Sequence, residues 1–319
     1  MPTKNPVLID LKFNPQIIAD ALRNAFTDRG SINLLDRANS ATDLARVDYA
    51  VLWNPDPALF SRAPNLKAIF SGGAGVDHIM DHPGLPDVPV VRFVDHSLTT
   101  RMSEWIVLQC LTHLRQVEAY RKQAARGIWR DLPQPEASEV TVGVMGLGVL
   151  GQDAAVKLRA MGFNVIGWSR RQKVIDGLKT YDADHMDAFL GQTDILVGLL
   201  PLTKETTRIY DAVLFSKLRQ GGALGKPVFI NAGRGKSQSQ VDLRLALETG
   251  ILGGASLDVF EVEPLPARDP LWTMANVVIT PHTAATSDVG ALFRYVEAQI
   301  AGFERGEALQ HVVDRVTGY

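Results

Sequence analysis

Short apolar runs recur along this chain, separated by stretches whose apolar positions return every three or four residues. The first kind reads as buried strand and the second as amphipathic helix, and their alternation from end to end predicts a parallel α/β architecture. In the first hundred residues, runs at 7–9, 49–53, 68–71 and 88–93 read as strands and 15–26 as a helix, the makings of a small doubly wound sheet. From about 100 to 126 one long amphipathic pattern follows, with Met102, Trp105, Ile106, Leu108, Cys110, Leu111 and Leu114 at helical spacings. Six further strand-like runs, at 140–145, 164–168, 195–200, 227–231, 255–258 and 277–280, alternate with helices as in a second doubly wound sheet. After residue 282 the pattern is helical again, through Val289, Leu292, Val296 and Ile300. A tail of about 35 residues is too short to fold alone, so it is expected to return to the first domain. The expected division is therefore a discontinuous domain of 1–99 with 285–319, and a second domain of 100–284.

Composition narrows the classes. The 319 residues are 46% hydrophobic and 21% charged, enough for packed interiors, and the net charge of −2 provides no global attraction for nucleic acid or an anionic membrane. Affinity for an anionic ligand must then come from local arginines. Cys110 is the single cysteine, so no internal disulfide forms, and its apolar setting reads as core packing. The apolar run near the N-terminus, in Met1 to Ile9, is too short for a signal segment. Nor does any run approach the roughly 20 apolar residues of a membrane span. A cytoplasmic protein, without nucleic-acid or membrane partners, is expected.

The triplet Gly146-x-Gly148-x-x-Gly151 lies directly between a predicted strand and a predicted helix. In that context the glycines permit a tight turn, let the backbone approach a pyrophosphate and pack the helix on the sheet, whose N-terminal amides then face the phosphates. The end of the next strand selects the dinucleotide. An NAD site places a carboxylate there for the ribose hydroxyls; this chain has Ser169-Arg170-Arg171, with Lys173 close behind. A hydroxyl and two guanidiniums suit a 2′-phosphate, so NADP(H) is expected in preference to NAD(H). A solvated basic turn is the plainer reading of the same residues.

Three polar residues downstream complete the chemistry: Arg234 in Asn231-Ala232-Gly233-Arg234-Gly235, Glu263 in the segment 258–265, and His282 after Thr280-Pro281. A carboxylate beside an imidazole favours the imidazolium, which gives a proton to a carbonyl oxygen as hydride reaches carbon. A guanidinium holds a substrate carboxylate. Singly, each has a structural reading: a core histidine, a turn cap at Glu263, a surface ion pair at Arg234.

Taken together, these motifs resemble the D-isomer-specific 2-hydroxyacid dehydrogenase family over nearly the whole chain, and within it a subgroup of reductases. The resemblance implies two Rossmann-like or flavodoxin-like domains with a cleft between them. It also implies NADPH-dependent reduction of a small 2-oxo acid such as glyoxylate or hydroxypyruvate to the D-2-hydroxy acid. It assigns the arginine, glutamate and histidine roles to Arg234, Glu263 and His282. The cofactor would contact Gly146, Gly148, Val149, Leu150 and Gly151, then Ser169, Arg170 and Arg171, then Pro201, Thr206, Ala232 and Asp258. The loop 71–77 looks like the family's carboxylate-binding loop, with Gly73, Ala74 and Gly75 offering backbone amides beside Arg234 and His282, and Trp53 matches an aromatic pocket position, though it reads equally as core. A homodimer is implied, with the helix around Trp105 to Leu114 as a candidate face.

Departures from the family are visible as well. Lys236-Ser237-Gln238-Ser239-Gln240 stands where apolar residues are usual, Thr283 follows the histidine, and the segment 221–226 is longer than typical. A formate dehydrogenase of the same fold is disfavoured by the acid at Glu263. The rival of a different class is a dinucleotide-sensing, non-catalytic protein like the corepressors of this fold, whose long tails and partner-docking surfaces are not evident in this sequence.

Overall fold

The computed structural model describes residues 4–36 and 42–319, so Met1 to Thr3 of the N-terminal reading lie outside the described residues. The chain divides into two compact units, Met1–Leu98 with Ser287–Tyr319, and Thr99–Thr286.

In the first unit, β1 (Val7–Leu11), β2 (Ser31–Asn33), β3 (Tyr49–Trp53), β4 (Ala68–Ser71) and β5 (Val90–Val91) form a parallel sheet in the order β2-β1-β3-β4-β5. This is the flavodoxin-like order. β1 is buried throughout and β3 over four of its five residues, as expected of strands covered on both faces. The helix expected over 15–26 is α1 (Pro15–Leu22), begun by the Asn14 cap and the proline after it, and two short helices, α2 (Leu59–Arg62) and α3 (Asp77–Met80), come after β3 and β4. α1 ends early, and Phe26 beyond it takes a left-handed φ of 55°. β5 is shorter than the run that predicted it, and the C-terminal segment lies along its edge, where Val312 bridges Val91 and the Val313 amide donates to the Val90 carbonyl at 2.8 Å.

The second unit holds β6 (Thr141–Met145), β7 (Asn164–Trp168), β8 (Lys179–Tyr181), β9 (Ile195–Gly198), β10 (Val228–Asn231), β11 (Gly254–Leu257) and β12 (Val277–Ile279), all parallel, in the order β12-β11-β10-β9-β6-β7-β8. Renumbered from β6, this is the dinucleotide-binding order with one further strand, and the order reverses between β6 and β9. Alternate residues face two cores. Val142, Val144, Ile195, Val197, Val228 and Ile230 join Met102, Ile106, Cys110 and Leu114 on one face. Met145, Ile166, Trp168, Leu196 and Phe229 join Phe215, Leu243 and Leu247 on the other. Each such side chain contributes about 1.5–3 kcal/mol when fully buried.

Two expectations are corrected here. Six strands were read in this unit; the seventh, β8, is a short edge strand whose outer residue Lys179 is exposed, so it carries no apolar run. The single helical stretch over 100–126 is broken into α4 (His96–Leu114) and α5 (Val117–Ala125) by Gln116, at a left-handed φ of 53°, and α5 buries none of its residues. Among the described residues no helix is long and apolar enough to cross a membrane, and no group of three or more metal-ligating side chains forms.

Candidate active site

Every motif residue expected in the second unit follows the carboxyl end of one of its parallel strands, the edge where such sheets bind ligands. Gly146 leaves β6 with φ of 114°, which side-chain-bearing residues rarely adopt, and its amide donates to the Trp168 carbonyl at 2.9 Å. A Cβ on Gly151 would fall on the Gly146 carbonyl, so α6 (Val149–Ala160) lies directly against the loop. At Gly148, which caps α6, the place of a Cβ has no protein atom within 4 Å. The loop is thus tight where helix meets strand and open where a pyrophosphate would meet the helix N-terminus. In the first turn of α6 Val149 is exposed, while Leu150 packs on the core.

The turn after β7 presents Arg170 and Arg171 to solvent, with no carboxylate in the position that would repel a 2′-phosphate. Ser169 is different: it is buried, and its hydroxyl donates to the Arg171 carbonyl at 2.8 Å, shaping the turn from inside. Lys173 reaches back to donate to the Leu147 carbonyl at 2.8 Å, tying the basic turn to the glycine loop. After β9, the Thr206 hydroxyl donates to the Pro201 carbonyl at 2.6 Å and accepts the Thr203 amide at 2.7 Å, closing that segment into a turn. Ala232, buried after β10, donates its amide to Gly198 at 3.3 Å.

The structure brings Glu263 and His282 together. Glu263 Oε2 lies 2.7 Å from His282 Nδ1, and its Oε1 accepts the Phe260 amide at 3.0 Å. Burial alone would raise the Glu263 carboxyl. The hydrogen bond from His282, the Phe260 amide and the nearby charges of His282 and Arg234 outweigh it, and the pKa is lowered. The side chains of His282 and Glu263 remain 38% and 33% exposed, so the pair is open to a small molecule.

His282 itself has φ of 53°, an uncommon conformation for an imidazole-bearing residue and one that costs of order 1–3 kcal/mol. Asp258 holds it there. The Asp258 carbonyl accepts the His282 amide at 2.8 Å, and its buried carboxylate accepts the Thr280 hydroxyl at 2.5 Å and the amides of Thr283 and Ala284 at 2.8 and 3.0 Å. The residue singled out for cofactor contact therefore anchors the histidine turn. Thr283, a departure from the family pattern, contributes one of those bonds through its backbone amide, which any residue but proline would supply there.

Arg234 caps a short helical turn (Gly235–Ser237), and its Nη1 donates to the Gly233 carbonyl at 2.8 Å. Gly235 must be glycine, because a Cβ there would fall on the Phe260 peptide, whose amide holds Glu263. Sequence reasoning missed this backbone contact. It also missed Gln238 and Gln240 as supports, although polar residues where the family tends to place apolar ones were the visible signal.

In the first unit, the Ser71 hydroxyl donates to the Gly75 carbonyl at 2.7 Å and accepts the Gly73 amide at 3.3 Å, fixing the loop that contains Ala74. A Cβ on Gly73 would sit 2.7 Å from the Trp53 indole, so Trp53 packs over this loop, wedged between Phe13 and His78 at centroid distances of 5.9 and 4.3 Å. The helix expected to offer a dimer face turns Trp105, Ile106, Cys110 and Leu114 inward, and burial pushes the Cys110 thiol pKa up. Leu108 is the exposed large apolar residue of that helix.

Residues 107–284 match the D-isomer specific 2-hydroxyacid dehydrogenase, NAD binding domain family. Glyoxylate/hydroxypyruvate reductase A of Citrobacter koseri is 39% identical over 279 residues, covering 85% of this chain and 88% of that protein. Among solved structures, the NADPH-dependent glyoxylate/hydroxypyruvate reductase of Sinorhizobium meliloti in complex with NADP and sulfate superposes with a TM-score of 0.97 at 62% identity, over 99% of this chain and 100% of that one. A probable 2-hydroxyacid dehydrogenase from Rhizobium etli CFN 42, in complex with NADP, HEPES and L(+)-tartaric acid, gives 0.94 at 64% identity over the same shares. With the motifs at the strand ends and these likenesses over nearly the full length, the chain belongs to the D-isomer-specific 2-hydroxyacid dehydrogenase family.

Proposed function

We propose that this protein reduces a small 2-oxo acid, glyoxylate or hydroxypyruvate, to the D-2-hydroxy acid with NADPH. The observation that carries the reading is the His282–Glu263 pair at 2.7 Å, with Arg234 close enough to bias the glutamate. Its relatives from Citrobacter and Sinorhizobium bear the reductase name, and the latter was solved with NADP. Gly146, Gly148 and Gly151 with the first turn of α6 would hold the pyrophosphate, and Arg170 and Arg171 the 2′-phosphate. When bound, NADPH supplies the hydride that reduces C2.

The chain's own residues do the rest. Glu263 engages Nδ1 of His282, so the proton is delivered from Nε2 to the forming alkoxide. Arg234 binds the substrate carboxylate and orients the ketone; in the first unit, the backbone amides of Gly73, Ala74 and Gly75 beside Trp53 offer carboxylate-binding groups of their own. Asp258 keeps the histidine turn in place and would also meet the nicotinamide carboxamide, while Pro201, Thr206 and Ala232 flank the cofactor.

We further propose a homodimer, using exposed apolar residues such as Leu108 and Trp129 of the second unit, in a cytoplasmic setting where NADPH is kept reduced.

The test is NADPH consumption over a panel of 2-oxo acids. Turnover of glyoxylate or hydroxypyruvate is expected, and His282→Ala should lower kcat about 10²- to 10⁴-fold. A stoichiometric NADPH complex that oxidises with no 2-oxo acid, or His282→Ala at normal turnover, refutes the proposal.

A further inference from the structure

Between the arginine turn and the glutamate segment runs 236–240, whose polar side chains the proposed chemistry does not use. A buried amide is costly unless its polar atoms are paired. Gln238 is completely buried and paired at both ends: Oε1 accepts from Asn231 Nδ2 at 2.9 Å, and Nε2 donates to the Val259 carbonyl at 3.3 Å. Asn231, also fully buried at the end of β10, uses the same amide nitrogen to donate to the Arg234 carbonyl at 3.2 Å, and its Oδ1 accepts the Gly233 amide at 3.0 Å.

One glutamine amide therefore reaches two functional segments. Through Asn231 it grips the Gly233 amide and the Arg234 carbonyl, and through Val259 it grips the residue before Phe260, whose amide holds Glu263. Gln240 adds a parallel tie further out, its backbone amide donating to Glu261 Oε1 at 2.9 Å and its side chain to Asp269 Oδ2 at 2.7 Å. If this position needed only filling, an apolar side chain would do so without burying an amide. The bonds that Gln238 makes all lead toward the site.

We propose that Gln238 is a positioning residue that sets the spacing between Arg234 and the Glu263–His282 pair. The inference rests on the roles given above to those three residues. A residue acting this way alters both substrate holding, through Arg234, and proton delivery, through Glu263, while leaving the glycine loop untouched.

The test is Gln238→Met, which keeps the side-chain length and removes both polar ends. Expected are NADPH affinity equal to the parent's by fluorescence titration, a KM for the 2-oxo acid raised and a kcat lowered, each on the order of tenfold. Arg234→Met is measured in parallel, and the double variant should raise KM no further than Arg234→Met alone, because one residue acts through the other. A folded Gln238→Met with parental KM and kcat overturns the proposal while Arg234→Met keeps its effect. If Arg234→Met itself leaves KM unchanged, the underlying reading of the site falls and this inference with it. Gln238→Leu serves as a second variant; failure of both to fold would make the residue a requirement of the fold and overturn a positioning role.

Discussion

His113, at the end of α4, is expected to make this protein acid-sensitive in a way one substitution removes. Its Nε2 lies 2.9 Å from the Ser256 hydroxyl, which donates in turn to Gln109 Oε1 at 2.9 Å, so the ring sits neutral in a hydrogen-bonded chain against β11. Burial pushes its pKa down to about 4 from the ordinary 6.5. In the unfolded chain the ring takes up its proton near pH 6.5, whereas in the folded one it resists until about pH 4. Between these values the unfolded state binds more protons. Stability is then complete above pH 6.5 and drains away as pH falls toward 4. At pH 4.5 the loss is about 2.5 kcal/mol, and water at the ring's partly exposed edge lowers this to about 2 kcal/mol. His113→Gln keeps a donor for Ser256 and does not titrate. It should lie within about 1 kcal/mol of the parent at pH 7.5 and exceed it by about 2 kcal/mol at pH 4.5, a midpoint difference of roughly 0.5–1 M urea. Tryptophan fluorescence is the readout, because Trp105, Trp129, Trp168 and Trp272 all belong to the same unit as His113. Parallel pH curves for the two proteins would refute the reasoning.

Gly235→Ala puts a methyl group on the Phe260 peptide and should displace Glu263, lowering kcat about 10²-fold with NADPH affinity retained, as stopped-flow turnover and fluorescence titration would read. Asp258→Asn leaves one of the Thr283 and Ala284 amides facing an NH₂ group, so a loss of about 1–3 kcal/mol in thermal stability is expected together with slower turnover. Replacing Arg170 and Arg171 together with Ala should raise the KM for NADPH by about tenfold or more and leave that for NADH nearly unchanged; equal effects on both cofactors would count against a 2′-phosphate role. Below pH 4.5 the Glu263 contribution is lost, in the same direction of pH as that of His113: its lowered pKa means stability is present above the ordinary glutamate range and lost as pH falls through the folded value, so Glu263→Gln should flatten the acid limb of a thermal melt series.

What the sequence made legible follows from how each feature is held. Strands such as β6, β9 and β10 are buried on both faces and so must be continuous apolar runs, which reading by periodicity finds. The edge strands β2 and β8 are covered less and carry polar residues, and nothing local distinguishes Ser31–Asn33 or Lys179–Tyr181 from loop. The break at Gln116 was invisible for a related reason: a left-handed residue that is not glycine leaves no mark in an amphipathic pattern.

The site divides along the same line. Arg234, Glu263 and His282 are legible because each stands in a short motif just after a strand end, and of these the structure brings Glu263 and His282 into direct contact. Their supports are pairwise facts of tertiary approach. Asp258, read from the sequence as a cofactor contact, also accepts the amides of residues 283 and 284 on its carboxylate, and Ser169, read as a phosphate donor, gives its hydroxyl to the Arg171 carbonyl. Gln238 looked like a departure from pattern, and that was the usable clue: a polar residue where burial is expected implies partners, even when the sequence does not say which. Its partners are Asn231 and Val259, in the segments that carry Arg234 and Glu263. Buried polar residues that break an apolar pattern near a functional motif are therefore where sequence reading should look for the supports of a site.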